Sequence, residues 1–167
     1  AACIFEQIYF ADPSSMVFGE NVHLVRVAMG QQLARETPAQ ADLVVPNPTS
    51  GQCAAVGFAR ESGIPYGRAF TTSHYALRSF ILPTQKGRES AVKMKLNVIK
   101  EAVAGRRLVV VEDSIVRGTT TRIKIGALRA AGAKEIHLRI ASPPIRHPCY
   151  FGIDFPDQKE LIAHNLS

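Results

Sequence analysis

The sequence predicts an α/β fold in which a parallel sheet is flanked by helices. Short apolar runs alternate along the 167 residues with stretches of helical periodicity. The run at 108–111 is apolar and mostly β-branched, which is typical of a strand buried on both faces of a parallel sheet. Because hydrophobic residues make up 46% of the chain and charged residues 20%, we expect a single folded domain over residues 1–167.

Strand patterns recur between turn signals along the whole chain. The last of them alternates apolar and polar residues, so we place that strand nearer the sheet edge, with one face in water. The predicted strands cover residues 4–10, 42–46, 66–71, 108–111 and 135–140.

Helical periodicity fills the intervals between these strands. The helix at 20–36 carries Val22, Val25, Met29 and Leu33, and the next carries Ala54, Ala55, Phe58 and Ala59 before a stop at Gly63. Three later helices are predicted. The first covers residues 86–104 and the last residues 157–164, and the one between them carries the apolar positions Ile123, Ala127, Ala130 and Ala131.

The most informative stretch follows the strand at 108–111. Two adjacent carboxylates, Glu112 and Asp113, end the strand, and a loop of small hydroxyl residues and one glycine leads into a helix. Backbone N–H groups at a helix start, together with hydroxyl side chains, suit a phosphate group. The carboxylates suit sugar hydroxyls or a divalent cation such as Mg²⁺. The alternative is an ordinary surface loop with a capped helix.

A second hydroxyl and glycine loop, Thr49-Ser50-Gly51, lies between the strand at 42–46 and the next helix. The same chemistry would bind a second phosphate group there. Ordinary helix capping by Ser or Thr is the alternative.

The formal net charge is +6, and much of it falls at residues 86–107. A solvated helix face explains such a run most simply, and capture of a polyanionic small molecule is the second reading. Nucleic-acid binding is third, because no interleaved aromatic residues or known nucleic-acid motif support it.

No apolar run approaches the roughly 20 residues that span a bilayer, so we expect no membrane segment. The first residues lack the pattern of a signal peptide and an initiator Met, which leads us to expect a piece of a longer protein. Three cysteines without a Cys-x-x-Cys motif are too few for a disulfide framework, which favours a cytoplasmic protein.

The stretch at 112–120, Glu-Asp-Ser-Ile-Val-Arg-Gly-Thr-Thr, resembles the phosphoribosyl pyrophosphate (PRPP) signature of type I phosphoribosyltransferases. In particular it is similar to the version in the glutamine PRPP amidotransferase family. Nearly the whole chain shares this resemblance, including residues 3–13, 63–66, 78–83, 95–97 and 142–154.

The resemblance implies the type I phosphoribosyltransferase fold and a PRPP–Mg²⁺ substrate, with transfer of the phosphoribosyl group to ammonia in purine biosynthesis. It implies catalytic roles for Glu112, Asp113, Tyr75 and Arg78, the last two on a mobile lid. It implies Mg²⁺ contacts from Ser50, Glu112 and Asp113. The implied PRPP contacts are Thr49, Ser50, Gly51, Glu112, Asp113, Ser114, Ile115, Val116, Arg117, Gly118, Thr119 and Thr120.

The chain departs from the family pattern in four ways. Glu112 stands where Asp is usual, which is a mild change, and Thr49 replaces an acidic residue. Lid residues that include two cations and a glycine are replaced by Thr72, Ser73, His74 and Leu77. The glutaminase domain that precedes this region in the family is missing from the chain. These departures keep two other functions open, a non-catalytic PRPP-binding regulatory module and a nucleobase phosphoribosyltransferase.

Two cysteines take a further meaning from the resemblance. Cys3 and Cys149 match two of the four ligands of an iron–sulfur cluster that some family members carry, and the other two would lie beyond residue 167. The alternative is that they are small buried hydrophobic residues. The resemblance also implies a homo-oligomer, with a glutaminase domain as part of the full protein.

Overall fold

The computed structural model describes residues 3–72, 96–150, 152–153, 155 and 157–165. In chain order, its elements are a π-helical turn (Glu6–Phe10), β1 (Met16–Val17), β2 (Glu20–Asn21), α1 (Val22–Glu36), β3 (Leu43–Pro46), α2 (Gln52–Ser62), β4 (Phe70–Thr72), β5 (Leu96–Val98), α3 (Lys100–Val103), β6 (Arg107–Glu112), α4 (Thr119–Ala130), β7 (Glu135–Ile140), a 3-10 turn (Gln158–Glu160) and α5 (Ile162–Asn165).

A parallel sheet in the order β3–β6–β7 lies at the centre of the described structure. Residues of the central strand alternate between its two faces. Val109 and Val111 pack in a cluster with α2, whereas Leu108 and Val110 pack in a second cluster with α4. All four side chains are at most 3% exposed, which confirms the prediction of a strand buried on both faces.

Helices α1 and α2 cross at two glycines on the α2 side of the sheet. A Cβ on Gly30 would lie 1.9 Å from the carbonyl oxygen of Ala54, and one on Gly57 would lie 2.0 Å from that of Val27. The two backbones therefore approach more closely than any side chain at these positions would permit.

The buried face of α1 differs from the predicted one. Of the four predicted residues only Val22 is fully buried, while Arg26 turns inward and donates hydrogen bonds to the carbonyl oxygens of Gln7 and Ala11. The helix begins after Asn21, whose side chain accepts from the N–H of Leu24. Because Arg26 faces the interior, the buried side of α1 is rotated away from the side that the apolar spacing predicts.

The predicted buried face of α4 is also wrong. Ile123 is 37% exposed, whereas Lys124 and Leu128 are buried one turn apart. Leu128 packs beneath the sheet, and the residue four positions earlier must then face the same way. Lys124 therefore occupies a buried position, whereas the apolar pattern predicts burial of the adjacent Ile123.

The strand predicted at residues 4–10 is instead helical. The N–H of Ile8 donates to the carbonyl oxygen of Ile4 at 3.1 Å, and the backbone winds through Glu6–Phe10. The Phe5 ring packs 5.8 Å from that of Phe155. The aromatic end of this segment packs against a residue near the carboxyl terminus instead of pairing as a strand.

The strand predicted at 66–71 and the helix predicted at 86–104 also need correction. The strand predicted at 66–71 begins only at Phe70, since Tyr66 makes one isolated bridge with Val44. It pairs antiparallel with β5, which occupies part of the helix predicted at 86–104. Within the described part of that range, the helix is α3 alone, because residues 96–98 contribute their backbone hydrogen bonds to β4.

The carboxyl-terminal predictions hold in outline. β7 lies at the edge of the described sheet as expected, although most of its side chains are half-buried rather than alternately wet. Instead of one helix at 157–164, the structure has the 3-10 turn and then α5. The two are separated by buried Leu161, whose backbone is extended. No helix among the described residues has both the length and the hydropathy to cross a bilayer.

Candidate functional site

Two loops meet where the parallel strands β3 and β6 end. The N–H of Asn47 donates to the carbonyl oxygen of Val111 at 2.8 Å, which joins the two loop entrances. The N–H of Gly51 then donates to the carbonyl oxygen of Asn47 at 3.0 Å. A Cβ on Gly51 would lie 2.2 Å from the Val111 oxygen, so only glycine permits this close approach.

A cavity of about 780 Å³ opens between these loops, large enough for a sugar phosphate. Phe5, Tyr9, Phe10, Gly152, Ile153 and Phe155 add an apolar wall from the two ends of the chain. The predicted site residues that line the cavity are Thr49, Ser50, Glu112, Asp113, Ser114, Ile115, Val116, Arg117, Gly118, Thr119 and Thr120. Gly51 is buried beneath the loop instead, and Tyr75 and Arg78 lie outside the described residues.

The acidic pair is buried at the carboxyl end of β6, with Glu112 4% and Asp113 7% exposed. Thr121 donates its hydroxyl to Oε1 of Glu112, and Ser114 donates to Oδ2 of Asp113, each at 3.0 Å. Among the described residues, Oε2 of Glu112 is enclosed and has no hydrogen-bond partner, which is a costly state for a buried acceptor.

Burial raises the pKa of Glu112 to about 7, and the charge of Asp113 adds to that rise. The ammonium of Lys124 and the hydroxyl of Thr121 act in the opposite direction. Lys124 is itself only 9% exposed, and burial lowers its pKa while the two carboxylates raise it. The site therefore has a lysine and two carboxylates in one poorly hydrated environment.

Sequence reasoning missed both Lys124 and its partner Asn47. The ammonium donates a hydrogen bond to Oδ1 of Asn47, a residue 77 positions earlier in the chain. Both residues line the cavity. The one local signal was the helical spacing that places Lys124 one turn before Leu128, and nothing in the sequence pointed to Asn47.

The hydroxyl loop turns into α4 at Gly118, whose φ of 74° lies in the left-handed region. Here the first N–H groups of the helix have no acceptor within the helix, and Thr119 and Thr120 line the cavity beside them. The chain end holds this loop from outside, since Arg117 pairs with Glu160 at 2.6 Å and the N–H of Ile162 donates to Val116. The arrangement suits a phosphate.

Oxygen ligands for a divalent cation are present in the same cavity. The carboxylates of Glu112 and Asp113 are adjacent, and the Ser50 hydroxyl lies on the opposing loop. The described residues contain no group of three or more His, Cys, Asp or Glu side chains that would enclose a metal. Mg²⁺ is commonly held by one or two carboxylates with waters and substrate phosphates, so the donor set fits a cation that arrives with a phosphorylated substrate.

Cys3 and Cys149 line a separate pocket of about 320 Å³. No disulfide joins either to another cysteine, and Cys53 lies elsewhere, 3.3 Å from Nδ1 of His23. Two thiols do not make the four-ligand set of an iron–sulfur cluster. The two predicted ligands therefore line one pocket, and the described residues do not form a cluster site.

Comparison with known sequences identifies relatives over nearly the whole chain. An amidophosphoribosyltransferase of Methanothermobacter thermautotrophicus is 54% identical over 163 residues, which cover 98% of this chain and 34% of the relative. One from Pyrococcus horikoshii is 55% identical, with 98% of this chain and 36% of the relative covered. The chain thus spans about a third of the length of these curated relatives. No protein-family model matches the chain.

Solved structures agree with the sequence relatives. The glutamine PRPP amidotransferase of B. subtilis, solved with ADP and GMP, superimposes with a TM-score of 0.86 at 48% identity. The match covers 97% of this chain and 36% of that one. A structure described as the allosteric regulatory enzyme of purine biosynthesis gives a TM-score of 0.85 at 48% identity, over 96% of this chain and 35% of that one. The predicted fold class is confirmed.

Proposed function

Because this chain belongs to the amidophosphoribosyltransferase family, we propose that it binds PRPP in the cavity and transfers the phosphoribosyl group to ammonia, giving 5-phosphoribosylamine. The observation that carries this proposal is the continuous path from the buried pair Glu112 and Asp113 through a hydroxyl loop to the start of α4. It offers acceptors for sugar hydroxyls and donors for a phosphate side by side.

The proposed binding mode assigns one part of PRPP to each loop. Residues 114–120 hold the 5′-phosphate through backbone N–H groups and hydroxyls, and Glu112 and Asp113 accept from the ribose hydroxyls. Thr49 and Ser50 contact the pyrophosphate, while Gly51 lets their loop approach β6. Glu112, Asp113 and Ser50 would also hold Mg²⁺, which when bound supplies positive charge to the leaving pyrophosphate.

The proposed chemistry is a substitution at the anomeric carbon of ribose. The nitrogen of ammonia forms a bond to that carbon, the carbon–oxygen bond to pyrophosphate breaks, and the nitrogen then loses a proton. The protein positions the two reactants and keeps water away, without a covalent nucleophile. The apolar wall that includes Phe5 and Phe155 serves that exclusion. By resemblance, Tyr75 and Arg78 would close over the substrate.

The source of ammonia and the choice of acceptor are part of the same proposal. Because the chain spans about a third of its relatives, we propose that a glutaminase domain supplies ammonia in the full protein. The chain by itself would depend on added ammonia. Relatives at 54–55% identity are amidophosphoribosyltransferases, which favours ammonia over a nucleobase as the acceptor.

Calorimetric titration with PRPP and Mg²⁺ tests the binding mode. Asp113→Asn removes a charged acceptor and Thr119→Ala removes a hydroxyl from the phosphate loop, and each should weaken binding by roughly tenfold or more. Asp42→Asn and Thr37→Ala make the same chemical changes outside the cavity lining and should bind as the wild type does. Equal heats from all five proteins, or no heat from the wild type, would refute the proposal.

A second candidate function is a PRPP-binding module without turnover. It is favoured by Thr49, which lines the cavity where the family pattern has an acidic residue. Pyrophosphate release on adding ammonia to the PRPP-bound protein separates the two functions. Release at a rate above the protein-free control supports the enzyme, and tight binding without release supports the module.

A further inference from the structure

The loop that leads into α4 is contacted from outside by a short segment near the carboxyl terminus. Nε and Nη2 of Arg117 both lie 2.6 Å from Oε2 of Glu160. The N–H of Ile162 donates to the carbonyl oxygen of Val116 at 3.0 Å. Cδ1 of Ile162 lies 3.2 Å from the position that a Cβ on Gly118 would take. Three consecutive residues of the loop are therefore held by two residues of one distant segment.

This supporting segment, residues 160–162, is itself fixed in the fold. Leu161 is fully buried, so the chain is anchored between the two residues that contact the loop. On its amino-terminal side, the carboxylate of Asp157 accepts from the N–H of Lys159 at 2.9 Å. The side chain of Asn165 donates to the carbonyl oxygen of Lys159 at 2.8 Å, which joins the two ends of the region. The supporting segment is therefore a defined part of the structure.

The ion pair of Arg117 and Glu160 matters for geometry more than for stability. The two side chains are 42% and 45% exposed, and an ion pair that is so well hydrated contributes little to the free energy of unfolding. Two guanidinium nitrogens on one carboxylate oxygen nevertheless fix where this side chain lies. Donors bind an anion best when their directions are set beforehand, because the ligand then has no ordering cost to offset.

The loop at residues 47–51 is held by different contacts. Its first N–H, that of Asn47, donates to the carbonyl oxygen of Val111, and the N–H of Gly51 donates to the carbonyl oxygen of Asn47. These bonds join the loop to β6 and to itself. A change in the supporting segment should therefore reach one of the two loops and leave the other in place.

We propose that the supporting segment positions the loop for the 5′-phosphate of PRPP, with Glu160 and Ile162 as positioning residues. The inference rests on the proposed function, since it concerns how one part of PRPP is held. Neither residue belongs to the described lining of the cavity, and they act through Arg117 and Val116. The effect is specific to the ribose 5-phosphate part of PRPP and does not extend to the pyrophosphate.

The test measures how well ribose 5-phosphate and pyrophosphate each displace bound PRPP in the presence of Mg²⁺. Ile162→Pro removes the N–H that donates to Val116, and proline suits the first residue of α5 after the extended Leu161. Ile162→Val keeps that N–H and most of the apolar side chain. The proline variant should bind ribose 5-phosphate at least about fivefold more weakly than the valine variant, with pyrophosphate affinities within about twofold of each other.

Glu160→Gln tests the ion pair in the same assay. Loss of a negative charge by itself favours an anionic ligand, so weaker binding of ribose 5-phosphate, by at least about threefold, would report lost positioning. In an Arg117→Gln background the same change should alter affinity by less than about twofold, because the partner is already gone. Glu61→Gln, which breaks the surface ion pair with Arg35 outside the cavity lining, should bind as the wild type does.

The outcomes separate the inference from the proposed function. Weaker binding of ribose 5-phosphate alone supports the inference. Equal losses for both ligands, unchanged affinities, tighter ribose 5-phosphate binding by Glu160→Gln, or failure of ribose 5-phosphate to displace PRPP from the wild type would overturn it and leave the proposed function standing. Absence of PRPP binding by the wild type would overturn both. Should Ile162→Pro fail to fold, Glu160→Gln decides alone.

Discussion

At the scale of single residues, an ion pair at the amino ends of β3 and β6 makes stability depend on pH. Asp42 accepts from the guanidinium of Arg107 at 2.7 Å and from the N–H of Arg107 at 2.8 Å. The side-chain hydrogen bond is the largest cause, and together these bonds lower the pKa of Asp42 from 3.8 to about 2. A lowered pKa means that the contribution is complete above the unfolded value and is lost as the pH falls through the folded one.

We therefore expect wild-type and Asp42→Asn proteins to differ in unfolding free energy at neutral pH, with the wild type more stable. The difference should shrink as the pH falls from 3.8 to about 2. Urea unfolding across this range measures it. A difference that stays constant with pH would show that the carboxylate charge has no part in it.

Single residues of the site differ in how far the sequence predicts them. The acidic pair and both hydroxyl loops are predictable because their members are adjacent in the chain, and Glu112 and Asp113 follow an apolar strand. The hydrogen bond between Lys124 and Asn47 joins positions 77 residues apart, and the burial of a lysine follows from packing rather than from any local pattern. Long-range polar contacts of this kind cannot be predicted without the fold.

At the scale of elements, periodicity identified β3, β6, β7, α1 and α2 and misassigned segments whose form depends on distant partners. Residues 96–98 form a strand because β4 is available to pair with them. The turn at Glu6–Phe10 is helical and packs its aromatic end against Phe155. The close crossing of α1 and α2 also escaped prediction, since a glycine within a helical pattern does not reveal what lies beside it.

Gly57→Ala should therefore destabilise the protein by about 1–3 kcal/mol, because the new Cβ would meet the Val27 carbonyl oxygen at 2.0 Å and force the helices apart. Gly126→Ala is the matched control within α4, where a Cβ meets no atom of the described residues within 4 Å. It should stabilise the protein by about 0.5–1 kcal/mol through helix propensity. Denaturant unfolding measures both, and equal effects would contradict the account of the crossing.

At the scale of the whole molecule, the parts of the site meet at the carboxyl ends of the parallel strands. Parallel strands bring their carboxyl ends together, so loops at residues 47–51 and 113–118 meet although about 60 positions separate them in the chain. The fold class therefore predicted where the site lies. It could not predict the apolar wall contributed by both ends of the chain, because those contacts depend on the turn at Glu6–Phe10.

Hydrogen exchange with and without PRPP tests the central claim most directly, because it shows where on the molecule the ligand binds. We predict that PRPP slows exchange of backbone amides at residues 47–51 and 113–121, with little change in β7 or around Cys3 and Cys149. Unchanged exchange at both loops, or protection centred on the pocket lined by Cys3 and Cys149, would contradict the assignment of the cavity as a PRPP site.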